Sequence, residues 1–324
     1  MTPSAGRRLA AAVLLAAAPH VAAGQAAPKA TASVSVGYVL VPVVVTDTKG
    51  RSVAGLKEKD FTLRVDGRPV ALDLFTASDD APVSFTILLD GSGSMGLSGK
   101  LDGARAALDA LLSQSRPGDD FSLHVFAAGA VREVVPFTSD GGRIRSAADA
   151  VRPWGKTAFY DALAKMPDRT LLGRNGSRAI VLLTDGVDNA SALTEEELAA
   201  LLEGLDVPVY PIGLRSPGPP VPLRPGETRE HALNLDVLGR IARMTGGRLA
   251  IVDDPGRLAE AVGAIERDLR FQYLLGFTPT GTGSVRYRQF FLEISGPPRS
   301  FRMRTGYRGF EPPWRESESK KKGT

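Results

Sequence analysis

Asp90-Gly-Ser-Gly-Ser94 carries one carboxylate and two hydroxyls at a spacing of two, with glycine between them. It follows directly on the apolar run Val83-Ser-Phe-Thr-Ile-Leu-Leu89 and precedes a helix-like pattern. Oxygen donors held by small residues at the end of a buried strand suit a hard divalent cation. Two other stretches offer the same chemistry. Gly155-Lys-Thr-Ala-Phe-Tyr-Asp161 precedes a helix and supplies the Thr157 hydroxyl. Thr184-Asp-Gly186 follows the apolar residues 180–183 and supplies the Asp185 carboxylate.

These donors depend on the elements that carry them. Residues 83–270 alternate apolar strands with amphipathic helices, which predicts an α/β fold with a doubly wound, mostly parallel sheet covered on both faces. In such a sheet ligands bind beyond the carboxyl ends of the strands, at a topological switch point. The three loops should therefore share one face. Strands are expected at 85–89, 121–126, 131–137, 179–183, 207–212 and 249–252, and one helix is expected near 160–172. Mg²⁺ wants near-octahedral oxygen coordination and usually keeps some waters. Neutral hydroxyls leave the ion electron-poor, so it gains most from an incoming carboxylate. That favours recognition of an acidic partner over catalysis.

Composition excludes other classes. The chain has 324 residues and no cysteine, so disulfides, thiolate metal sites and a lipid-anchoring cysteine are out. Its three histidines, His20, His124 and His231, are too few for a His-rich zinc site. Residues 1–23 read as a secretory signal: Arg7 and Arg8, an apolar run too short to span a bilayer, then Val21-Ala22-Ala23. The mature protein is expected to be secreted or periplasmic. The formal net charge of +4 includes both of those arginines and is a weak argument for a nucleic-acid partner.

Asp90-Gly-Ser-Gly-Ser94, taken with Thr157 and Asp185, resembles the metal-ion-dependent adhesion site of von Willebrand factor A domains. The resemblance implies that Ser92, Ser94 and Thr157 contact Mg²⁺ or Mn²⁺. Asp90 and Asp185 would bind directly or through water, and an Asp or Glu of a protein partner would take the sixth position. Val41-Pro-Val-Val-Val-Thr-Asp47, Gly50-Arg-Ser-Val-Ala-Gly-Leu56, Asp60-Phe61 and Asp66-Gly67 extend the likeness, as do Tyr273-Leu-Leu-Gly-Phe277 and Arg304-Thr-Gly-Tyr307. They resemble the flanks of bacterial secreted VWFA-related proteins, abundant in acidobacteria.

Rival motifs overlap the same residues. Gly91-Ser-Gly-Ser-Met-Gly96 fits a dinucleotide fingerprint, but Asp90 would face the pyrophosphate with like charge. The second strand also ends without a ribose-binding acid. The nucleophile-elbow pattern of serine hydrolases fails at both Ser92 and Ser94. His124 reads as a half-buried or surface strand residue. A hydrolase or metal-assisted enzyme using the same face and a structural envelope protein with a vestigial site stand as alternatives. Lys156, beside Thr157, would weaken metal binding unless it points to solvent. Asp188 and Asn189 read as loop residues that could support the site.

Outside residues 83–270 the pattern turns to β. Residues 33–80 form an N-terminal β segment in which Asp66-Gly67 marks a hairpin between 60–65 and 69–75, and Pro42 suggests a bulge or edge. Residues 271–310 form a C-terminal β segment, and 311–324 read as a disordered tail. Neither segment alone makes a comfortable sandwich, so the two are expected to pair into one β unit around the inserted α/β part. The Pro-rich loop near 214–231 is expected on the metal face, where it could shape partner choice.

Overall fold

The computed structural model describes residues 38–78, 81–203, 205–214, 235–252, 255–281 and 284–310. The signal segment, the 215–231 portion of the Pro-rich loop with His231, and the C-terminal tail lie outside the described residues.

The chain opens with β1 (Val39–Thr46), β2 (Phe61–Val65), β3 (Arg68–Pro69) and β4 (Leu74–Ser78). It then builds β5 (Val83–Asp90), α1 (Lys100–Ser113), β6 (Asp120–Ala127), β7 (Ala130–Thr138) and α2 (Gly141–Asp149). Next come α3 (Phe159–Leu163), α4 (Met166–Thr170), β8 (Ser177–Thr184), α5 (Glu195–Leu202) and β9 (Val209–Leu214). The α/β part closes with α6 (Leu235–Thr245), β10 (Ala250–Val252) and α7 (Pro255–Arg270). Last are β11 (Gln272–Phe277), β12 (Val285–Ile294), β13 (Ser300–Arg302) and β14 (Gly306–Phe310).

The central sheet has the order β10-β9-β8-β5-β6-β7, parallel except for β7, which returns antiparallel beside β6. Every residue of β5 is buried, as a strand covered on both faces requires. Phe85, Ile87 and Leu89 pack into one core with α1, α2 and α7. Leu88 packs into the other with α3, α5 and α6. From β5 the chain steps to β6 on one side, and β8 on the other side leads to β9. The switch point therefore falls between β5 and β8, whose carboxyl ends are Asp90 and Thr184.

The flanking strands form two antiparallel sheets, β13-β1-β11-β4 and β14-β12-β2-β3. Each sheet takes two strands from before the α/β part and two from after it, as the size of the separate flanks led us to expect. Their inner faces share one core, with Val41, Val43 and Leu275 on one side and Leu63, Val65 and Leu292 on the other. Pro42 sits inside β1 without a bulge. It pairs with Leu274 of β11, and β13 reaches β1 only from Val44 onward, so the absent N–H costs no ladder bond on that side.

Three local expectations need correction. The helix near 160–172 is two short helices, because Pro167 cannot continue the hydrogen-bond ladder of α3 and instead starts α4. The second arm of the Asp66-Gly67 hairpin stops at Pro69, and β4 crosses to the other sheet to pair with β11. His124 is fully buried rather than half-buried or at the surface.

Candidate metal centre

Asp90 is the last residue of β5 and is fully buried. Its Oδ1 accepts from the Ser92 amide at 2.8 Å and its Oδ2 from the Thr184 hydroxyl at 2.7 Å. Burial pushes its carboxyl up to about 6 and the nearby Asp185 charge adds to the rise, while the Thr184 and Ser92 hydrogen bonds oppose it. A divalent cation would supply the opposite charge that burial withholds. Ser92 is also buried, and its Oγ lies 3.1 Å from Ser94 Oγ. Two ligands at right angles on Mg²⁺, each at about 2.1 Å, stand about 3 Å apart. The two hydroxyls thus have the spacing of neighbouring coordination positions. Met95, fully buried in the core, roots the 3-10 turn Gly93–Gly96 that presents Ser94.

Backbone bonds fasten the Thr157 loop to this turn. The Trp154 amide donates to Gly91 O at 2.9 Å, and the Gly93 amide donates to Gly155 O at 3.0 Å. Gly155 has φ +73°, and a Cβ there would stand 2.6 Å from Ala128 Cβ. Only glycine satisfies both conditions. Thr157 is buried and exchanges two bonds with Asn189: its amide donates to Asn189 Oδ1 at 2.9 Å and its carbonyl accepts from the Asn189 amide at 3.0 Å. Asp188 accepts from the Tyr160 amide at 3.0 Å and the Ser191 hydroxyl at 2.7 Å. Asp188 and Asn189 are therefore braces for the Thr157 loop.

Asp185 follows β8 and is buried. Its Oδ2 accepts from Lys100 Nζ at 2.8 Å. Lys156 is exposed, and its carbonyl accepts from the Ala128 amide at 2.8 Å. Lys156 thus has the solvent exposure that the sequence reading allowed, and the lysine that meets a candidate donor is Lys100. Thr184 was missed as well, although a hydroxyl at the end of the strand beside β5 was a readable signal. For Lys100, six residues past Ser94 at the head of a helix, no sequence pattern pointed to the site.

The fold brings Asp90, Ser92 and Ser94 to one switch point with Asp185, and ties the Thr157 loop to the same turn. Among the described residues no three His, Asp or Glu side chains form a metal-binding group. The candidate donors are two carboxylates and three hydroxyls, all oxygen, a set that would suit a hard divalent cation and not a soft one.

Several solved structures resemble this chain over much of its length. An aerotolerance-related membrane protein from Bacteroides fragilis is similar over 58% of this chain and 98% of its own, at 25% identity and a TM-score of 0.46. A von Willebrand factor type A protein from Catenulispora acidiphila is similar over 78% of this chain and 74% of its own, at 14% identity and a TM-score of 0.47. A variant of the PilB minor pilin from Streptococcus sanguinis is similar over 59% and 62%, at 13% identity and a TM-score of 0.45. No curated protein matches the chain. Residues 85–187 match the von Willebrand factor type A domain, a span that begins in β5, ends just past Asp185 and contains all five candidate donor residues; the α/β part of the chain has that fold.

Proposed function

We propose that this chain is a secreted or periplasmic binding module. It holds Mg²⁺ or Mn²⁺ through Asp90, Ser92, Ser94, Thr157 and Asp185, and it uses the ion to engage an Asp or Glu of a protein partner. The observation that carries this reading is the convergence of two buried carboxylates with closely spaced hydroxyls at the β5/β8 switch point. Neutral hydroxyl ligands leave the ion able to accept one more anionic oxygen.

Two features favour a macromolecular partner and binding over turnover. Leu97 and Trp154, on the loops of Ser94 and Thr157, are each 63% exposed. Large apolar side chains in water beside a polar site match the anchors of a protein interface. The Ser92 and Ser94 hydroxyls lie 3.1 Å from each other, and His124, the one histidine among the described residues, is buried within β6, so among the described residues no imidazole stands ready to activate either serine. The envelope location rests on the N-terminal segment of the sequence. Among the described residues no helix is long and apolar enough to cross a membrane.

Titration calorimetry of the purified chain tests the metal site. One Mg²⁺ or Mn²⁺ site is expected in the parent, and none in Asp90→Ala or Ser92→Ala with unchanged circular dichroism. Full binding in both variants would refute the assignment. Capture from envelope extract in Mg²⁺ followed by EDTA elution tests the partner: a protein retained equally in EDTA does not use the ion.

A further inference from the structure

Lys100 bears on how this site handles charge, and its role rests on the metal-binding reading of the site. Lys100 is the first residue of α1, and Ser98 and Gly99, both at positive φ (54° and 70°), turn the chain into that helix. Its Nζ meets Asp185 Oδ2 at 2.8 Å, with the lysine side chain 16% exposed and the aspartate 4%. An ion pair this enclosed is poorly screened, unlike a surface pair. Asp185 in turn bears on Asp90, whose buried carboxylate lies close enough to feel its charge.

The charge count is simple. Asp90 and Asp185 together carry two negative charges when ionised, and Lys100 cancels one. A divalent ion added to that set leaves one positive charge over. Without Lys100 the same ion would be neutralised. Ser92, Ser94 and Thr157 contribute no charge to settle the difference.

We propose that Lys100 is a resident cation that competes with the metal for Asp185. It steadies Asp185 when no divalent ion is bound. It weakens the hold on the ion, and it leaves the loaded site with a surplus positive charge that an external carboxylate satisfies. Ion and acidic ligand then strengthen each other, by the same factor in either order. A lysine suits this role, since its flexible stem lets the ammonium swing off Asp185 as the ion enters while its charge stays beside the site.

The test uses the full chain and Mg²⁺ titrations of the parent, K100M, K100Q and K100R at one pH. Removing a unit charge a few ångströms from the ion in a partly buried site should tighten Mg²⁺ binding about tenfold or more in K100M and K100Q. K100R, which keeps the charge, should stay within about threefold of the parent. Metal-free K100M and K100Q should melt below the parent and recover when saturated with Mg²⁺. Glutarate serves as a minimal dicarboxylate probe: it should tighten Mg²⁺ binding in the parent and K100R and do so less in the neutral variants. Equal or weaker Mg²⁺ binding in folded K100M and K100Q overturns the role of Lys100 and leaves the metal site standing. No Mg²⁺ binding by any of the four proteins overturns the metal reading itself.

Discussion

The Thr184 hydroxyl donates to Asp90 Oδ2 at 2.7 Å, joining the carboxyl ends of the neighbouring central strands β8 and β5. The Thr184 hydroxyl oxygen in turn accepts from the Gly186 amide at 3.1 Å. One buried side chain thus aims the Asp90 carboxylate and shapes the turn that presents Asp185. Thr184→Val keeps the volume and removes the donor. An unpaired buried acceptor costs about 1–3 kcal/mol, so urea unfolding should register a loss of that order. Mg²⁺ affinity should fall with it, because Asp90 and Asp185 lose their common reference. Unchanged affinity in the folded variant would show that Thr184 has no part in setting the site.

Gly155→Ala should separate the site from the fold. A Cβ at φ +73° is strained, and here it would also stand 2.6 Å from Ala128 Cβ. Relief requires the Gly155 backbone to move, and Gly155 O holds the Gly93 amide next to Ser92 and Ser94. Mg²⁺ affinity should drop tenfold or more, a loss of about 1.4 kcal/mol or more in binding. Thermal stability should fall only modestly. Ala128→Gly in the same chain removes the clash but not the backbone strain, so the double variant should recover part of the affinity. No recovery would place the whole effect in the backbone conformation.

The placement of Asp90, Ser92, Ser94 and Asp185 at or just past two neighbouring strand ends was readable, because apolar runs at 83–89 and 180–183 announce those ends, while Thr157 sits in a loop before α3 that only the helix pattern marked. The pairing of the two β flanks was readable from what each lacked, since neither had enough strands to bury a core. Lys100 was not readable. A lysine at the start of a helix looks like an ordinary solvated residue, and its partner Asp185 lies 85 positions away. The crossing of β4 between sheets was hidden for the same reason. Leu74 to Ser78 find their ladder partners only in β11, across the whole α/β insertion. Asp120, Ser122 and His124 share one face of β6 and alternate with the apolar Phe121, Leu123 and Val125, which reads as a strand with one wet face. The helices α3 and α4 cover that side of the sheet, and all three residues are buried.

The base of the α/β part should respond to pH. Arg270 donates to Asp119 at 3.1 and 2.6 Å, to Glu266 at 2.9 Å and to Ala81 O at 3.2 Å. Asp119 also accepts from the Val83 amide at 2.9 Å, so this cluster clasps the points where the chain enters and leaves the insertion. Burial pushes Asp119 upward, but the Arg270 and backbone donors outweigh it and hold the carboxyl below its usual range. Burial pushes Glu266 up to about 7, with Arg270 opposing and Asp119 adding to the rise. Glu266 Oε1 meets no hydrogen-bond partner. A folded value above the ordinary 4.5 means that Glu266 stabilises fully below about pH 4.5 and that this contribution is lost as pH rises through about 7. Glu266→Gln should therefore gain on the parent between pH 5 and pH 8, by about 1–3 kcal/mol in urea unfolding. A difference that stays constant across that range would remove Glu266 as the source. Arg270→Met, which strands two buried carboxylates, should cost about 3–5 kcal/mol at pH 8 and less in acid.

The rim of the metal site should act on the partner and not on the ion. Trp154 and Leu97 stand in water on the loops that hold Thr157 and Ser94, yet neither side chain offers an oxygen ligand. Trp154→Ala and Leu97→Ser should leave Mg²⁺ affinity within about twofold. Buried aromatic anchors at interfaces are commonly worth about 2 kcal/mol or more, so Trp154→Ala should weaken a captured partner about thirtyfold. Leu97→Ser should weaken it less, in proportion to its smaller apolar area. Trp154 also reports directly, since the chain has two tryptophans and Trp314→Phe leaves it alone. In that background, partner binding in Mg²⁺ should shift Trp154 emission to the blue as the indole leaves water, and EDTA should reverse the shift. Emission that ignores both partner and EDTA would put the interface elsewhere, even if the metal site binds as expected.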